Sequence, residues 1–96
     1  MPTQLEAKMY IKCKVSKGIF SSEYHIAVAN IKGEYTAGFA DKQSVKIKKE
    51  PQEGETLEGF AKVYLIEEHK DKYLIQLPTE MQDSIFVPKE RLELFI

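Results

Sequence analysis

The sequence has no tryptophan and a single cysteine, Cys13. A lone cysteine excludes an internal disulfide and any metal site built from several thiolates. Histidine is nearly as scarce: His25 and His69 are the only two, and neither has a partner at metal-ligand spacing. No metal and no cofactor is therefore expected. Apolar runs stop at four residues, as at Val63–Ile66, whereas a membrane helix needs roughly 20. The opening Met1-Pro2-Thr3-Gln4-Leu5-Glu6 has neither a basic start nor an apolar core of the secretory kind. No membrane partner is expected, and the lone thiol fits a cytoplasmic location. The five glycines are scattered at positions 18, 33, 38, 54 and 59, so no phosphate-cradling loop exists, and Gly-x-Ser-x-Gly is absent.

What is present is the composition of a small folded domain. The chain has 96 residues, of which 43% are hydrophobic and 30% charged, too apolar for a disordered tail. A chain this short supports one modest core. It leaves little room for a deep substrate cavity of ~300–1,000 Å3, so an enzyme is disfavoured unless subunits share a site. The net charge of −1 hides an asymmetry. Residues 1–48 carry eight lysines against four acids. Residues 49–96 carry five lysines and Arg91 against eleven acids. The two halves are suited to attract one another, or the first presents a basic face to an anionic partner.

Period-two alternation and β-branched or aromatic residues dominate, which predicts short strands and no long helix. Residues 1–8 read as a flexible end with at most one helical turn at 4–8. Strands are expected at 10–16, 23–31, 34–40, 45–48, 59–67, 73–78, 84–87 and 92–96. Single helical turns are expected at 41–44, capped by Asp41, and at 88–91, opened by Pro88. Residues 49–58, rich in charge and containing Pro51 and Gly54, read as a linker. The second and fifth strands are apolar on both sides. Tyr24, Ile26 and Val28 oppose Ala27, Ala29 and Ile31, and Phe60, Tyr64 and Ile66 oppose Ala61, Val63 and Leu65. Such strands either have two covered faces or turn one face to a second subunit.

The halves, about 10–48 and 59–96, resemble each other. Phe39-Ala40-Asp41-Lys42-Gln43-Ser44-Val45-Lys46-Ile47 matches Phe86-Val87-Pro88-Lys89-Glu90-Arg91-Leu92-Glu93-Leu94 in its order of aromatic, small apolar, turn and alternating residues. Tyr24-His25-Ile26-Ala27-Val28 matches Tyr73-Leu74-Ile75-Gln76-Leu77, and Lys14-Val15 matches Lys62-Val63. A unit of about 40 residues without disulfide or metal lies near the lower limit for independent folding. The expected architecture is therefore all-β: a single barrel domain over residues 9–96, of about eight short strands, its halves related by a pseudo-two-fold axis around a shared core. Phe39 and Phe86 are the aromatic anchors expected in that core.

The second half also resembles the Src-homology-3-like small barrels. Gly54-Glu55-Thr56-Leu57 resembles the lead into such a barrel's second strand, and Lys72–Leu77 stands in the place of its central strand. Phe86-Val87-Pro88-Lys89-Glu90-Arg91-Leu92 resembles the closing aromatic-Val-Pro, single-turn helix and last strand. The resemblance implies a barrel shape. It does not extend to the polyproline clamp of the peptide-binding members, whose tryptophan and paired tyrosines are missing here.

The functional expectation is a non-catalytic interaction module that binds a protein partner or itself. Tyr64, Tyr73 and Phe86 are its candidate contact residues. The alternative is an RNA- or single-stranded-DNA-binding barrel that uses Lys12, Lys14, Lys46, Lys48 and Lys49 with interleaved aromatics. Cys13 alternates with Ile11 and Val15 and is expected to point into the core. A nucleophilic Cys13–His25 pair would require the two to share a face. His69, within Glu67-Glu68-His69-Lys70-Asp71, is expected in a solvated turn.

Overall fold

The computed structural model describes the backbone of residues 8–95 and the side chains of residues 9–93. Eight strands run in chain order: β1 (Lys8–Lys17), β2 (Glu23–Ala29), β3 (Tyr35–Asp41), β4 (Val45–Lys46), β5 (Thr56–Glu68), β6 (Lys72–Gln76), β7 (Ser84–Pro88) and β8 (Leu92–Phe95). One 3-10 turn, Lys42–Ser44, leads into β4 and another, Lys89–Arg91, into β8. The pairings are antiparallel in the order β3-β2-β1-β5-β6-β7, with β4 added to β5 and β8 to β1. The sheet curls into a half-barrel. The expected all-β class is the observed one.

Alternation does most of the work. In β1, Ile11, Cys13 and Val15 turn inward, and in β2, Tyr24, Ile26 and Val28 do so. β6, its continuation and β7 add Ile75, Leu77, Ile85 and Val87. These residues form one cluster drawn from both halves, with Met9, Ile47, Tyr73 and Leu92 packed at its margin. Each fully buried aliphatic side chain contributes roughly 1.5–3 kcal/mol by leaving water.

The ladders show how the halves are joined. β1 and β5 pair from Met9–Val63 to Ser16–Thr56, with Ile11 opposite Ala61. On its other edge β1 is covered by β8 over Lys8–Ile11 and by β2 over Lys14–Lys17. β5 is treated alike, with β4 on Phe60–Ala61 and β6 on Tyr64–Glu68. Each half therefore lays its last short strand beside the other half's long one. Leu92 pairs with Ile11 where Val45 pairs with Ala61. Ile26 and Ile75 stand at corresponding rungs, as do Tyr24 and Tyr73. The order of ladder partners around β1 therefore parallels that around β5. In this parallel Tyr10-Ile11-Lys12-Cys13 stands with Phe60-Ala61-Lys62-Val63, two residues away from the match of Lys14-Val15 with Lys62-Val63 read from composition.

The loops follow the same pattern. The Ile31 N–H donates to the Phe86 carbonyl (2.8 Å), and the Glu80 N–H to the Phe39 carbonyl (3.2 Å). Gly33 and Gln82 close matching turns onto Asn30 and Thr79, both with positive φ. β3 completes its contact through an Ala40–Thr79 bridge. At the corresponding place Pro88 has no N–H to give. There Arg91 Nη1 supplies the donors, reaching the Ala29 carbonyl (2.9 Å) and the Asn30 carbonyl (3.3 Å).

Several expectations are corrected. Phe39 and Phe86 are not the core anchors. Ala40 and Val87 fill those places, and both phenylalanines stand half-buried on the opposite face. The 49–58 linker is shorter, because β5 begins at Thr56 and pairs Leu57 with Val15. Asp41 precedes its 3-10 turn without a side-chain capping bond. Ile31 falls beyond the end of β2, whose outer residues are half-buried, and of the two alternatives expected for β5 full cover within the chain is excluded, since Tyr64 and Ile66 are exposed. The expected helical turn at 4–8 lies outside the described residues except for Lys8, which opens β1.

Candidate interaction surfaces

The sheet face turned away from the core mixes lysines with aromatics. The register places Lys46, Phe60 and Lys12 side by side across β4, β5 and β1, and Tyr10 beside Lys62 in the next row. Adjacent strands lie about 4.8 Å apart, so these side chains are immediate neighbours. The amines lie over rings: Lys46 over Tyr10 (5.2 Å), Lys14 over Tyr35 (5.2 Å), Lys62 over Tyr64 (5.7 Å) and Lys72 over Phe86 (4.8 Å). Cation–π attraction and burial of the lysine stems both favour this arrangement.

The five candidate lysines fall into two adjoining groups. Lys12 and Lys14 follow one another on the outer side of β1, and Lys12 pairs with Glu58 (3.1 Å). Lys46, Lys48 and Lys49 rim a groove of about 520 Å3 whose apolar wall is Ile47, Leu57 and Phe60. Lys49 pairs with Glu55 (3.1 Å). The Gln52 N–H and then the Lys49 ammonium hold the Glu55 carboxyl below its ordinary pKa. Behind the groove, Tyr24 donates its hydroxyl to Glu50 and so ties the 49–55 loop to β2. Burial first, and that carboxylate second, push the Tyr24 phenol up to about 12.

Tyr64, Tyr73 and Phe86 do not form one patch. Tyr64 and Phe86 share the outer face, whereas Tyr73 packs inward against the core, with the Lys89 amine 5.1 Å from its ring. Composition passed over the neighbours of Tyr64. Tyr64, Leu65 and Ile66 are 54%, 38% and 46% exposed in succession. A register shift between Leu65 and Glu67 breaks the alternation there, and among the described residues the ladder to β1 runs no further than Met9–Val63. The signal was the four-residue apolar run itself. Ile19 and Phe20, at the tip of the β1–β2 connection, are exposed as well.

The nucleophile question is settled by parity. Cys13 faces the core, while His25 stands on the outer face beside Ser16 (3.3 Å) and at the edge of the Phe39 ring. His69 is exposed, 2.9 Å from Glu67. Burial pushes the Cys13 thiol from 9.0 up to about 12. Since the folded pKa is the higher one, Cys13 contributes no pH dependence below about pH 9, and stability is lost as pH rises from there toward 12. Thiol-reactive dyes at pH 8 should accordingly label the native protein at least 100-fold more slowly than the denatured chain. Equal rates would place Cys13 at the surface.

Among the described residues no group of three or more His, Cys, Asp or Glu side chains is placed to hold a metal ion. Nor, among the described residues, is any helix long and apolar enough to cross a membrane. In comparisons with protein-family models, curated proteins and solved structures, the chain matches none.

Proposed function

We propose that the chain is a non-catalytic interaction module that docks a protein partner on the apolar end of β5, at Tyr64, Leu65 and Ile66. The observation that carries this reading is the succession of three exposed apolar side chains on a strand whose ladder to β1, among the described residues, runs no further than Val63. Such a strand can accept a further strand through its backbone groups, with apolar side chains supplying affinity. Glu67 and Glu68 follow directly and keep the edge from pairing indiscriminately. A Src-homology-3-like reading of residues 54–96 is supported by the consecutive antiparallel strands β5-β6-β7 and the 3-10 turn Lys89–Arg91 ahead of β8. The ladder correspondence supports reading the chain as a duplicated unit. The unpaired buried thiol suits a cytoplasmic setting.

The test is differential capture from the native host by the intact protein and by an Ile66→Lys variant, with Ile19→Lys as the surface control. A partner retained by the native protein and the control, but lost by Ile66→Lys, is expected. Identical capture by all three would refute the proposal.

The row Lys46–Phe60–Lys12 favours a second reading, a single-stranded nucleic acid laid across β4, β5 and β1. It ranks lower because Lys12 and Lys49 are ion-paired and lysine amines lie over the Tyr10, Tyr35 and Tyr64 rings. Binding of labelled oligonucleotides that falls steeply as salt rises would favour it over the protein reading.

A further inference from the structure

We infer that the partner docked by the end of β5 is a second copy of this chain, received in the lysine-rimmed groove beside β4. The inference rests on the proposal that Tyr64–Ile66 is a protein-docking surface, and it adds both the identity of the partner and the receiving site.

The groove has an apolar wall of Ile47, Leu57 and Phe60, rimmed by Lys46, Lys48 and Lys49. A fitting occupant needs exposed apolar side chains flanked by acids. The chain carries such a segment in Leu65 and Ile66, followed by Glu67 and Glu68, with Asp71 at the end of the same hairpin; all five are exposed. The groove and the segment cannot meet within one molecule. Both lie on β5, one around Leu57–Phe60 and the other around Ile66, which at ~3.3 Å per residue puts them roughly 20–30 Å apart along a strand. The contact must be made between copies. The charge asymmetry of the sequence then acquires a use, because the basic first half of one copy meets the acidic hairpin of another.

The polar contacts to be exchanged are weakly held. Glu67 rests on His69 (2.9 Å), Glu68 on Lys89 (3.0 Å) and Lys49 on Glu55 (3.1 Å). All are at least partly solvent-exposed, and exposed pairs contribute little that a new partner could not replace. Glu58, which also lines the groove, is engaged by Lys12 (3.1 Å). The apolar wall and Leu65 and Ile66 supply the burial, and the lysines and glutamates fix orientation.

The test is sedimentation of the purified protein over a wide concentration range at low and high salt. The average mass should rise with concentration, less so at high salt. Lys48→Glu and Glu68→Lys, both at exposed positions, should each weaken association at least ten-fold. The double variant, which restores opposite charges across the contact, should recover most of the loss. Circular dichroism on every variant separates lost association from lost folding. A native protein that stays monomeric throughout would overturn the inference, and so would a double variant no better than the singles. Binding of an added acidic, apolar peptide to a strictly monomeric protein would overturn it too, while leaving the β5 docking surface to be judged by the capture experiment.

Discussion

Produced separately, polypeptides 1–49 and 50–96 should each give the circular dichroism of a disordered chain, and a 1:1 mixture should regain the β-sheet spectrum of the intact protein. The reason is the exchange of strands between halves. The first polypeptide retains β1 to β4, yet it loses β5 from one edge of β1, β8 from the other, and the ladder that joins β4 to β5. What remains is the three-stranded β1-β2-β3 meander. The core of Val15, Ile26, Val28 and Ala40 is left without Ala61, Val63, Ile75 and Val87 from the second half. A segment of this length without disulfide or metal is already marginal. Each polypeptide carries the strand edge that the other lacks, so mixing should restore both ladders together, and the intact chain should melt in one transition. A cooperative melt of 1–49 alone would show that the common interior is dispensable.

Where the chain alternates, its fold is legible in the sequence. Tyr24-His25-Ile26-Ala27-Val28 declares a half-buried strand, and its alternation is the one observed in β2. Local composition fails where a residue's fate depends on a strand distant in sequence. Phe39 and Phe86 are the larger side chains beside Ala40 and Val87, and size makes them look like anchors. Parity in the β2–β3 and β6–β7 ladders sends the smaller residues inward instead. Leu57 was hidden because Pro51 and Gly54 make its surroundings read as linker, although β1 recruits it opposite Val15. The exchange of β4 and β8 between halves is a matter of which long strand each short one joins, and two to four residues of sequence carry no information about that. The proposed docking surface was half legible. Tyr64 and the lysines were identifiable as types, whereas the separation of Tyr73 from Tyr64 depends on the Tyr64–Gln76 register, and the break in alternation at Ile66 on the shift between Leu65 and Glu67.

Replacing Gly59 should be among the most damaging single changes in the molecule. A methyl group built there would lie 2.5 Å from Ile47 Cγ2, 2.7 Å from the Lys46 carbonyl oxygen and 3.0 Å from Val15 Cγ2. Ile47 could rotate away, but the Lys46 carbonyl belongs to the backbone of β4 and cannot retreat without disturbing the Lys46–Phe60 pairing. Overpacking of this kind costs about 1–3 kcal/mol, and contact with backbone puts Gly59→Ala at the upper end. For a domain of this size a loss of about 3 kcal/mol lowers Tm by roughly 12–24 °C. Gly59→Val adds two more methyl groups to the same space, and against a total stability of about 5–15 kcal/mol it should leave little folded protein. Gly54 provides the control. A methyl group there meets nothing within 4 Å, and only its positive φ of 77° opposes substitution, so Gly54→Ala should cost roughly 1–2 kcal/mol. Thermal melts followed by circular dichroism give the order directly. Gly59→Ala melting at or above Gly54→Ala would mean that β4 does not lie against β5 at this point. The same displacement removes Ile47 from the groove wall, so any Gly59→Ala protein that remains folded should also have lost most of its self-association.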